Sequence, residues 1–307
     1  MKVAYVFPGQ GSQWVGMGRD LYHDFDSARA VFEQADEALG FPMSRLCFEG
    51  PEDELRQTIN AQPALVTVSF ACLEATRSVS ASSGLPPASF VAGHSLGEYT
   101  ALAAAGVLDF ATTVYLARER GRLMHEAGQM IPGGMAAIIG LDETLLAEVC
   151  EQTGTRIANI NSPGQIVISG AKDNLTQAMD LAKSKGAYRA IPLPVSGAFH
   201  TPLMQPAVDG MAEIIGGISF HQPVIPIVAN TTAQPSTTAE SIKEELLGQL
   251  CNCVQWQRSV EYMVSDGVST FIEIGPGKVL AGLIKRIDKN VKILNIGDAD
   301  AIKRGVG

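Results

Sequence analysis

One serine flanked by two glycines has the clearest chemical potential in this sequence. In SFVAGHSLGEYTALAAAG, Ser95 lies between Gly93 and Gly97, after an apolar run and before an Ala/Leu-rich pattern. This order predicts a strand, a sharp turn and a helix. A G-x-S-x-G turn strains the serine backbone and exposes its hydroxyl, with the helix N-terminus and the amide of Leu96 near a developing oxyanion. Ser95 is therefore a candidate nucleophile; a serine that only caps the helix is the alternative.

A serine nucleophile needs a base, and the sequence has five histidines. Three lie in predicted helical or surface segments: His23, His125 and His221. His94 directly precedes Ser95, and neighbouring side chains at such a turn diverge. His200 ends the loop IPLPVSGAFH and precedes Thr201 and Pro202, a helix N-cap followed by proline. We expect His200 to be the base; a histidine that merely lines this loop is the alternative.

No aspartate or glutamate is an obvious third member of this pair. Asp142, Asp173 and Asp180 fall on or near the helices of a smaller predicted unit. A carbonyl group is able to orient the imidazole instead. The residues therefore predict a Ser-His dyad.

The glycine-rich turn PGQGSQWVGMG follows the first predicted strand. Its spacing departs from a dinucleotide-binding fingerprint, because Trp14 occupies the position of the third glycine. Gln10 in this turn is placed to bring a second backbone amide to the oxyanion. A purely structural turn is the alternative.

Three arginines cluster in YLARERGRLMHEA: Arg118, Arg120 and Arg122. A solvated basic helix face is the usual explanation of such a cluster. An arginine turned toward a cleft would instead bind a carboxylate through two parallel hydrogen bonds. Helical periodicity does not choose among the three.

The elements that must position these residues follow a repeated pattern of strand, turn and helix. Four segments share it: VAYVFPGQG (3–11), SFVAGHSLG (89–97), VIPIVANTT (224–232) and TFIEIGPG (270–277). VKILNIGD (291–298) is a fifth predicted strand. Continuous apolar strands that alternate with amphipathic helices indicate a mostly parallel sheet covered on both faces. Polar residues follow the strands, where open α/β sheets bind their ligands.

Residues 133–195 follow a different order, β-α-β-β-α-β, which is typical of the ferredoxin-like arrangement. Residues 162–164 (Ser-Pro-Gly) form the predicted hairpin turn, and Gly154 and Gly186 the predicted helix caps. We therefore predict an α/β fold with a large core, residues 1–127 and 199–307, and an inserted ferredoxin-like subdomain, residues 128–198. The cleft between them is the expected small-molecule site.

Composition narrows the function class. The 307 residues carry a formal charge of -9, which argues against nucleic acid as a partner. Five scattered cysteines form no disulfide framework and suit a reducing cytoplasm, and the Cys-Asn-Cys at 251–253 has no companion ligands for a metal. The N-terminus lacks a secretory signal, and residues 101–117 are too short and polar to span a bilayer. We expect a cytoplasmic protein without membrane contact.

Seven motifs, in their order along the chain, resemble those of the malonyl-CoA:acyl carrier protein transacylase family. They are VFPGQGSQ, GHSLGEYTAL, RERGRLM, NINSPGQIVISG, GAFHTPLM, VQWQRSVEYM and FIEIGPGKVL. The resemblance runs from about residue 3 to about residue 285. It implies a hydrolase-like core with an inserted ferredoxin-like subdomain, in agreement with the order of elements above.

The resemblance also implies a role for each matching residue. Ser95 would accept the acyl group, His200 would be its base, and Arg120 would hold the free carboxylate of malonate. The backbone amides of Gln10 and Leu96 would form the oxyanion hole, and the backbone carbonyl of Gln255 would orient the histidine. The residues implied near the substrate are Gln62, Asn161 and Phe199, the last of which should crowd an α-methyl group. Gly197 departs from the family pattern at the position before Ala198.

The implied reaction is a ping-pong transfer of malonyl from CoA to the phosphopantetheine thiol of acyl carrier protein, for fatty acid synthesis. No cofactor or metal is implied, because the CoA thioester is a substrate. Basic residues of the C-terminal segment, with Lys183, Lys185 and Arg189, are candidates for docking an acidic carrier. A monomer is expected. The alternatives are a trans-acting acyltransferase of a polyketide pathway, a serine thioesterase or hydrolase, and a non-catalytic carrier-binding protein.

Overall fold

The computed structural model describes residues 2–79 and 85–305, and it has the predicted α/β fold with two separate sheets. The strands are β1 (Lys2–Phe7), β2 (Phe90–Gly93), β3 (Gly133–Ile139), β4 (Arg156–Ser162), β5 (Gln165–Ala171), β6 (Arg189–Pro192), β7 (Ile227–Val228), β8 (Pro235–Ser236), β9 (Val268–Ile274) and β10 (Lys292–Ile296).

Fourteen α-helices lie between or after these strands in the described residues. They are α1 (Arg19–Asp24), α2 (Asp26–Leu39), α3 (Met43–Glu49), α4 (Glu52–Arg56), α5 (Thr58–Val79), α6 (Gly97–Ala104), α7 (Phe110–Met130), α8 (Glu143–Thr153), α9 (Lys172–Ser184), α10 (Gln205–Gly216), α11 (Ala239–Cys251), α12 (Trp256–Ser265), α13 (Val279–Ile287) and α14 (Ala299–Arg304). A short 3-10 helix, Pro202–Met204, precedes α10. Within the described residues, no helix is long and apolar enough to cross a membrane.

The large sheet has the strand order β10-β9-β1-β2-β7-β8. Its first five strands are mutually parallel, and the short β8 pairs antiparallel with β7. All five predicted core strands are therefore confirmed, whereas β8 was not predicted. The central strands β1 and β2 are buried almost throughout, as expected for a parallel sheet covered on both faces. Their carboxyl ends carry the loops that hold the predicted site residues.

The small sheet has the order β4-β5-β3-β6 and is antiparallel. Together with α8 and α9 it confirms the predicted β-α-β-β-α-β arrangement. Gly154 ends α8 in the left-handed conformation, with φ 68°. The apolar side chains of this unit form a cluster of their own, which includes Ile138, Leu146 and Ile168.

The two chain crossings between core and insertion lie against each other. Helix α7 extends to Met130, so the predicted boundary at residue 128 falls within its last turn. A Cβ on Gly128 would lie 2.7 Å from the Ser196 carbonyl oxygen, so glycine permits this close approach. The residue ranges of the two units stay a prediction, and residues 1, 80–84 and 306–307 of the core range lie outside the described residues.

The core also extends the insertion's edge strand. Val254 forms a bridge beside β4: its amide donates to Ala158 O at 2.8 Å, and its carbonyl accepts from the Ile160 amide at 2.9 Å. Arg258 adds two hydrogen bonds of 2.9 Å to the carboxylate of Glu143. The insertion is thereby held firmly on one wall of the cleft.

Candidate active site

Ser95 lies on a sharp turn between β2 and α6 and has a backbone φ of 49°. A Cβ on Gly93 would lie 1.9 Å from the carbonyl carbon of Gly97, and a Cβ on Gly97 would lie 2.1 Å from Phe7 O. Both glycines are therefore required by backbone contact. The serine carries its side chain into the cleft because the chain reverses so tightly at this point.

Asn230, directly after β7, holds this turn in place. Its Oδ1 accepts from the Ser95 amide at 2.7 Å, and its Nδ2 donates to Gly93 O at 2.7 Å. Asn230 is only 2% exposed, so both bonds are shielded from water. Asn230 was not among the predicted site residues. Its position just after a buried strand was the available signal, since polar residues there tend to reach the site.

The side chains of Ser95 and His200 meet, with Oγ and Nε2 2.8 Å apart. The other ring nitrogen of His200, Nδ1, donates to the backbone carbonyl of Gln249 at 2.7 Å. This bond places the proton on Nδ1 and leaves Nε2 as the acceptor for the serine hydroxyl. The pair is thus a dyad whose imidazole is oriented by a carbonyl, as the lack of a suitable carboxylate had indicated.

The carbonyl belongs to Gln249 and not to Gln255, so the prediction for Gln255 was wrong. The amide of Gln255 donates to Asn230 O at 2.7 Å, and its side chain binds Arg258. Gln249 lies in the last turn of α11, where carbonyls have no partner within the helix and are available to a side chain. Because a backbone carbonyl does this work, no side-chain pattern could have identified it.

Burial lowers the pKa of His200 to about 3, with a smaller effect from the Arg120 guanidinium. The imidazole is 4% exposed. It is therefore neutral at physiological pH and able to accept a proton. Thr201 caps the following 3-10 helix, as predicted, and this fixes the loop that carries His200.

Arg120 is the arginine of the cluster that faces the cleft, and it is 1% exposed. Its Nη2 donates to Ser95 Oγ at 3.1 Å, which places the guanidinium beside the nucleophile. Arg118 instead binds Ile59 O at 2.9 Å, and Arg122 pairs with Glu119 and Glu126.

The partners of the Arg120 guanidinium are neutral groups: two side-chain amides, the Ser95 hydroxyl and the face of the Tyr99 ring, whose centroid lies 5.5 Å from Cζ. Nη1 donates to Gln62 Oε1 at 2.8 Å and Nη2 to Gln249 Oε1 at 2.7 Å. Within residues 2–79 and 85–305, no carboxylate forms an ion pair with it and Nε has no hydrogen-bond partner. Burial lowers the pKa of Arg120, the direction expected for a desolvated cation. Such a group attracts an anion.

Leu96 and Gln10 both line the cavity. Leu96 N begins the turn into α6, and the backbone amide of neither residue donates to an acceptor in the described part of the chain. The side chain of Gln10 donates to Thr58 Oγ1 at 3.1 Å, which anchors the first loop. Two amides without an acceptor, on residues that line the same cavity as Ser95, are the groups that an oxyanion needs.

The cavity has a volume of about 460 Å³ and lies between the two sheets. Ser95, His200, Arg120, Asn161 and Phe199 line it. Gln62 does not: it is fully buried behind Arg120, so its placement on the substrate side was wrong and it supports the guanidinium instead.

Two cavity residues have partners that fix their orientation. Asn161 Oδ1 lies 2.8 Å from His94 Nε2, whereas the Ser95 hydroxyl is bound by His200 Nε2 and not by His94. The ring of Phe199 lies over Gly197, where an added Cβ would approach Phe199 to 2.5 Å. The glycine that departs from the family pattern therefore lets this ring fold back against the backbone.

The described residues contain no group of three or more His, Cys, Asp or Glu side chains that could hold a metal ion. The five cysteines are free.

Residues 4–299 match the acyl transferase domain family. A malonyl CoA-acyl carrier protein transacylase of Bacillus subtilis is 44% identical over 99% of this chain and 96% of its own length. The crystal structure of an acyl-carrier-protein-S-malonyltransferase from Bartonella henselae is 44% identical, covers 99% of this chain and 98% of that one, and superposes with a TM-score of 0.94. A malonyl-transacylase in complex with its type II PKS acyl-carrier protein is 41% identical, with a TM-score of 0.93 and coverage of 99% and 98%.

Proposed function

The chain belongs to the malonyl CoA-acyl carrier protein transacylases of the acyl transferase domain family, and we propose a role in malonyl transfer for each residue of its site. The observation that carries the proposal is that Ser95 Oγ lies within reach of both His200 Nε2, at 2.8 Å, and Arg120 Nη2, at 3.1 Å. One atom is thus placed beside a neutral base and a buried cation.

The first half-reaction forms a malonyl-serine ester. His200 Nε2 takes the hydroxyl proton while Ser95 Oγ attacks the thioester carbonyl of malonyl-CoA. The amides of Leu96 and Gln10 stabilise the oxyanion. When the C–S bond breaks, His200 returns the proton to the sulfur and CoA leaves as the thiol.

The second half-reaction runs the same chemistry with the phosphopantetheine thiol of acyl carrier protein. His200 takes the thiol proton, the sulfur attacks the ester carbonyl, and Ser95 Oγ leaves with the proton from His200. Water must be a poor competitor, or the enzyme would hydrolyse its own intermediate. The apolar rings and side chains of the cavity wall, such as Phe199 and Leu193, support this exclusion.

Arg120 selects malonyl by binding its free carboxylate. In the free protein the guanidinium is buried and contacts only neutral groups of the described residues, so a carboxylate supplies the missing charge. An acetyl group leaves that cation unpaired, at a cost of a few kcal/mol (roughly 2–4). Phe199, 5% exposed, narrows the space for an α-methyl group and favours malonyl over methylmalonyl.

We assign the transfer to fatty acid synthesis, in the cytoplasm, by a monomer that needs no cofactor. A polyketide pathway is a second candidate, because the similar malonyl-transacylase above is bound to a type II PKS acyl-carrier protein. Arg286, which links the core to Gln165 at the edge of the cleft, is a candidate contact for an acidic carrier. Other predicted docking cations are already paired, among them Lys183 with Asp180, Lys185 with Glu148 and Lys303 with Asp24.

Intact-protein mass after brief mixing with malonyl-CoA tests the proposal. The wild type should gain one malonyl group and Ser95→Ala should gain none. Addition of holo acyl carrier protein should then move the malonyl group to the carrier. Release of free malonate instead would indicate a thioesterase, and neither an adduct nor hydrolysis would leave a carrier-binding protein without catalysis.

A further inference from the structure

The side-chain amide of Gln249 lies between the guanidinium of Arg120 and the carboxyl group of Glu98. Its Oε1 accepts from Arg120 Nη2 at 2.7 Å. Its Nε2 donates to Glu98 Oε2 at 2.5 Å and to the backbone carbonyl of Ser95 at 3.0 Å. One amide thus contacts the cation, the nucleophile's backbone and a buried acid.

This arrangement admits only one orientation of the amide. A rotated amide would point its NH₂ group at the guanidinium, which has only donors, and its oxygen at the Ser95 carbonyl, which has only lone pairs. Gln249 is fully buried, so water is unable to compensate the lost bonds. The Nη2 group that faces the Ser95 hydroxyl is therefore held by an amide of fixed direction.

Glu98 is the group at the far end of this chain of contacts. It is 2% exposed, and its second oxygen, Oε1, accepts from the Asn230 amide at 3.0 Å. No lysine, arginine or histidine of the described residues forms an ion pair with it. Its two oxygens instead receive N–H groups from Asn230 and Gln249, the residues that hold Ser95 and orient His200.

We infer that Glu98 is a positioning residue for malonyl selectivity, acting through the Gln249 amide on the Arg120 guanidinium. The inference rests on the proposed function, because it concerns the same carboxylate clamp. Glu98 itself takes no part in the proton transfers described above. Without Glu98, the amide loses the acceptor that holds its NH₂ group, and the guanidinium loses its fixed partner.

The neighbouring acid is Glu245, whose carboxylate accepts from the Thr231 amide at 2.8 Å and, among the described residues, has no hydrogen bond to the Gln249 side chain. Burial and the proximity of Glu245 raise the pKa of Glu98. The positioning role survives protonation, since a carboxyl oxygen keeps a lone pair for each of the two N–H groups. Glu245 also supplies a matched control: it is a buried acid beside Glu98 that has no hydrogen bond to the clamp.

The test measures kcat/KM for malonyl-CoA and acetyl-CoA in five proteins: wild type, Glu98→Met, Gln249→Met, the double variant and Glu245→Met. Glu98→Met removes the oxygen that accepts from Gln249 Nε2, and both Glu98→Met and Gln249→Met should lower the malonyl-to-acetyl ratio by roughly tenfold or more. The double variant should be no worse than Gln249→Met alone within about twofold, because both changes break one chain of contacts. Glu245→Met should keep the wild-type ratio.

An unchanged ratio in Glu98→Met, or effects that multiply in the double variant, would overturn the inference. If Glu98→Met fails to fold by circular dichroism, Glu98→Asp retracts the carboxyl group by one methylene and carries the same expectation. A wild type that takes no malonyl group would instead defeat the proposed function. A wild type that transfers malonyl normally beside variants of unaltered ratio would defeat the inference alone.

Discussion

Ser95 and His200 each have a left-handed backbone, with φ 49° and 61°, and their side chains meet at 2.8 Å between Oγ and Nε2. Non-glycine residues adopt this conformation at a cost in free energy, so neighbours must hold it. Asn230 and Gln249 are those neighbours: the first binds the backbone of the serine turn, and the second supplies the carbonyl for the imidazole.

Gly93→Ala should destabilise the protein by roughly 3 kcal/mol or more, because the new Cβ would overlap the Gly97 backbone at 1.9 Å. Chemical denaturation provides the measurement. Gly216→Ala is the matched control, since no atom lies within 4 Å of its added Cβ at the end of α10. Equal stability of the two variants would contradict the assignment of Gly93 to a sterically closed turn.

Asn230→Ala should lower the free energy of unfolding by roughly 2–4 kcal/mol, because the carbonyl of Gly93 and the amide of Ser95 lose their buried partner. The rate of Ser95 malonylation should fall as well, since the turn relaxes. Asn252→Ala removes an exposed asparagine that donates to Gly248 O and should leave both quantities near wild type. A fully active Asn230→Ala would show that the Ser95 turn keeps its conformation without the Asn230 hydrogen bonds.

Malonylation at low malonyl-CoA concentration should be insensitive to pH between about 4.5 and 7. A base acts when neutral, and the pKa of His200 in the free protein is lowered to about 3, so acid does not protonate it in that interval. Bound malonate neutralises Arg120, one cause of the lowered pKa, so the pKa should rise in the complex. In stopped-flow acylation, the apparent pKa below which the rate falls should therefore be higher for kcat than for kcat/KM. An apparent pKa near 6.5 for kcat/KM, the value of an ordinary histidine, would refute the low pKa of His200.

Arg120→Gln should lower kcat/KM for malonyl-CoA by about 10²- to 10³-fold and leave acetyl-CoA turnover within a few fold, because only malonyl presents a carboxylate. Steady-state assays with both thioesters provide the comparison. Arg122→Gln removes a surface arginine of the same helix that pairs with Glu119 and Glu126, and its malonyl-to-acetyl ratio should not change. Loss of selectivity in both variants would point to a general effect of helix α7.

The sequence predicted the strands of the core well, because apolar runs such as the one before Ser95 end at glycine or asparagine turns. The ferredoxin-like order of residues 133–195 could be predicted for the same reason, because each helix or strand ends at a recognisable turn or cap. The antiparallel β8 was missed. It is two residues long and has no periodicity of its own.

Only some residues of the site could be predicted from the sequence. Ser95 and His200 could be chosen from local turn chemistry, whereas helical periodicity left Arg118, Arg120 and Arg122 equivalent and only the family resemblance selected Arg120. Gln249 contributes a backbone carbonyl from a helix end, and any residue has such a group. Its side chain acts through a chain of contacts far apart in sequence, so only the fold brings Gln249 to Glu98 and Arg120.

The contact between Gly128 and Ser196 has a consequence for how the chain folds. The roughly 70-residue insertion begins and ends at one point, so the folded subdomain joins the two halves of the core by a short connection. Closing a loop of that length costs chain entropy on the order of 4 kcal/mol. The insertion's own apolar cluster offsets that cost, so contacts within the subdomain hold together the two chain segments that lead to β2 and β7.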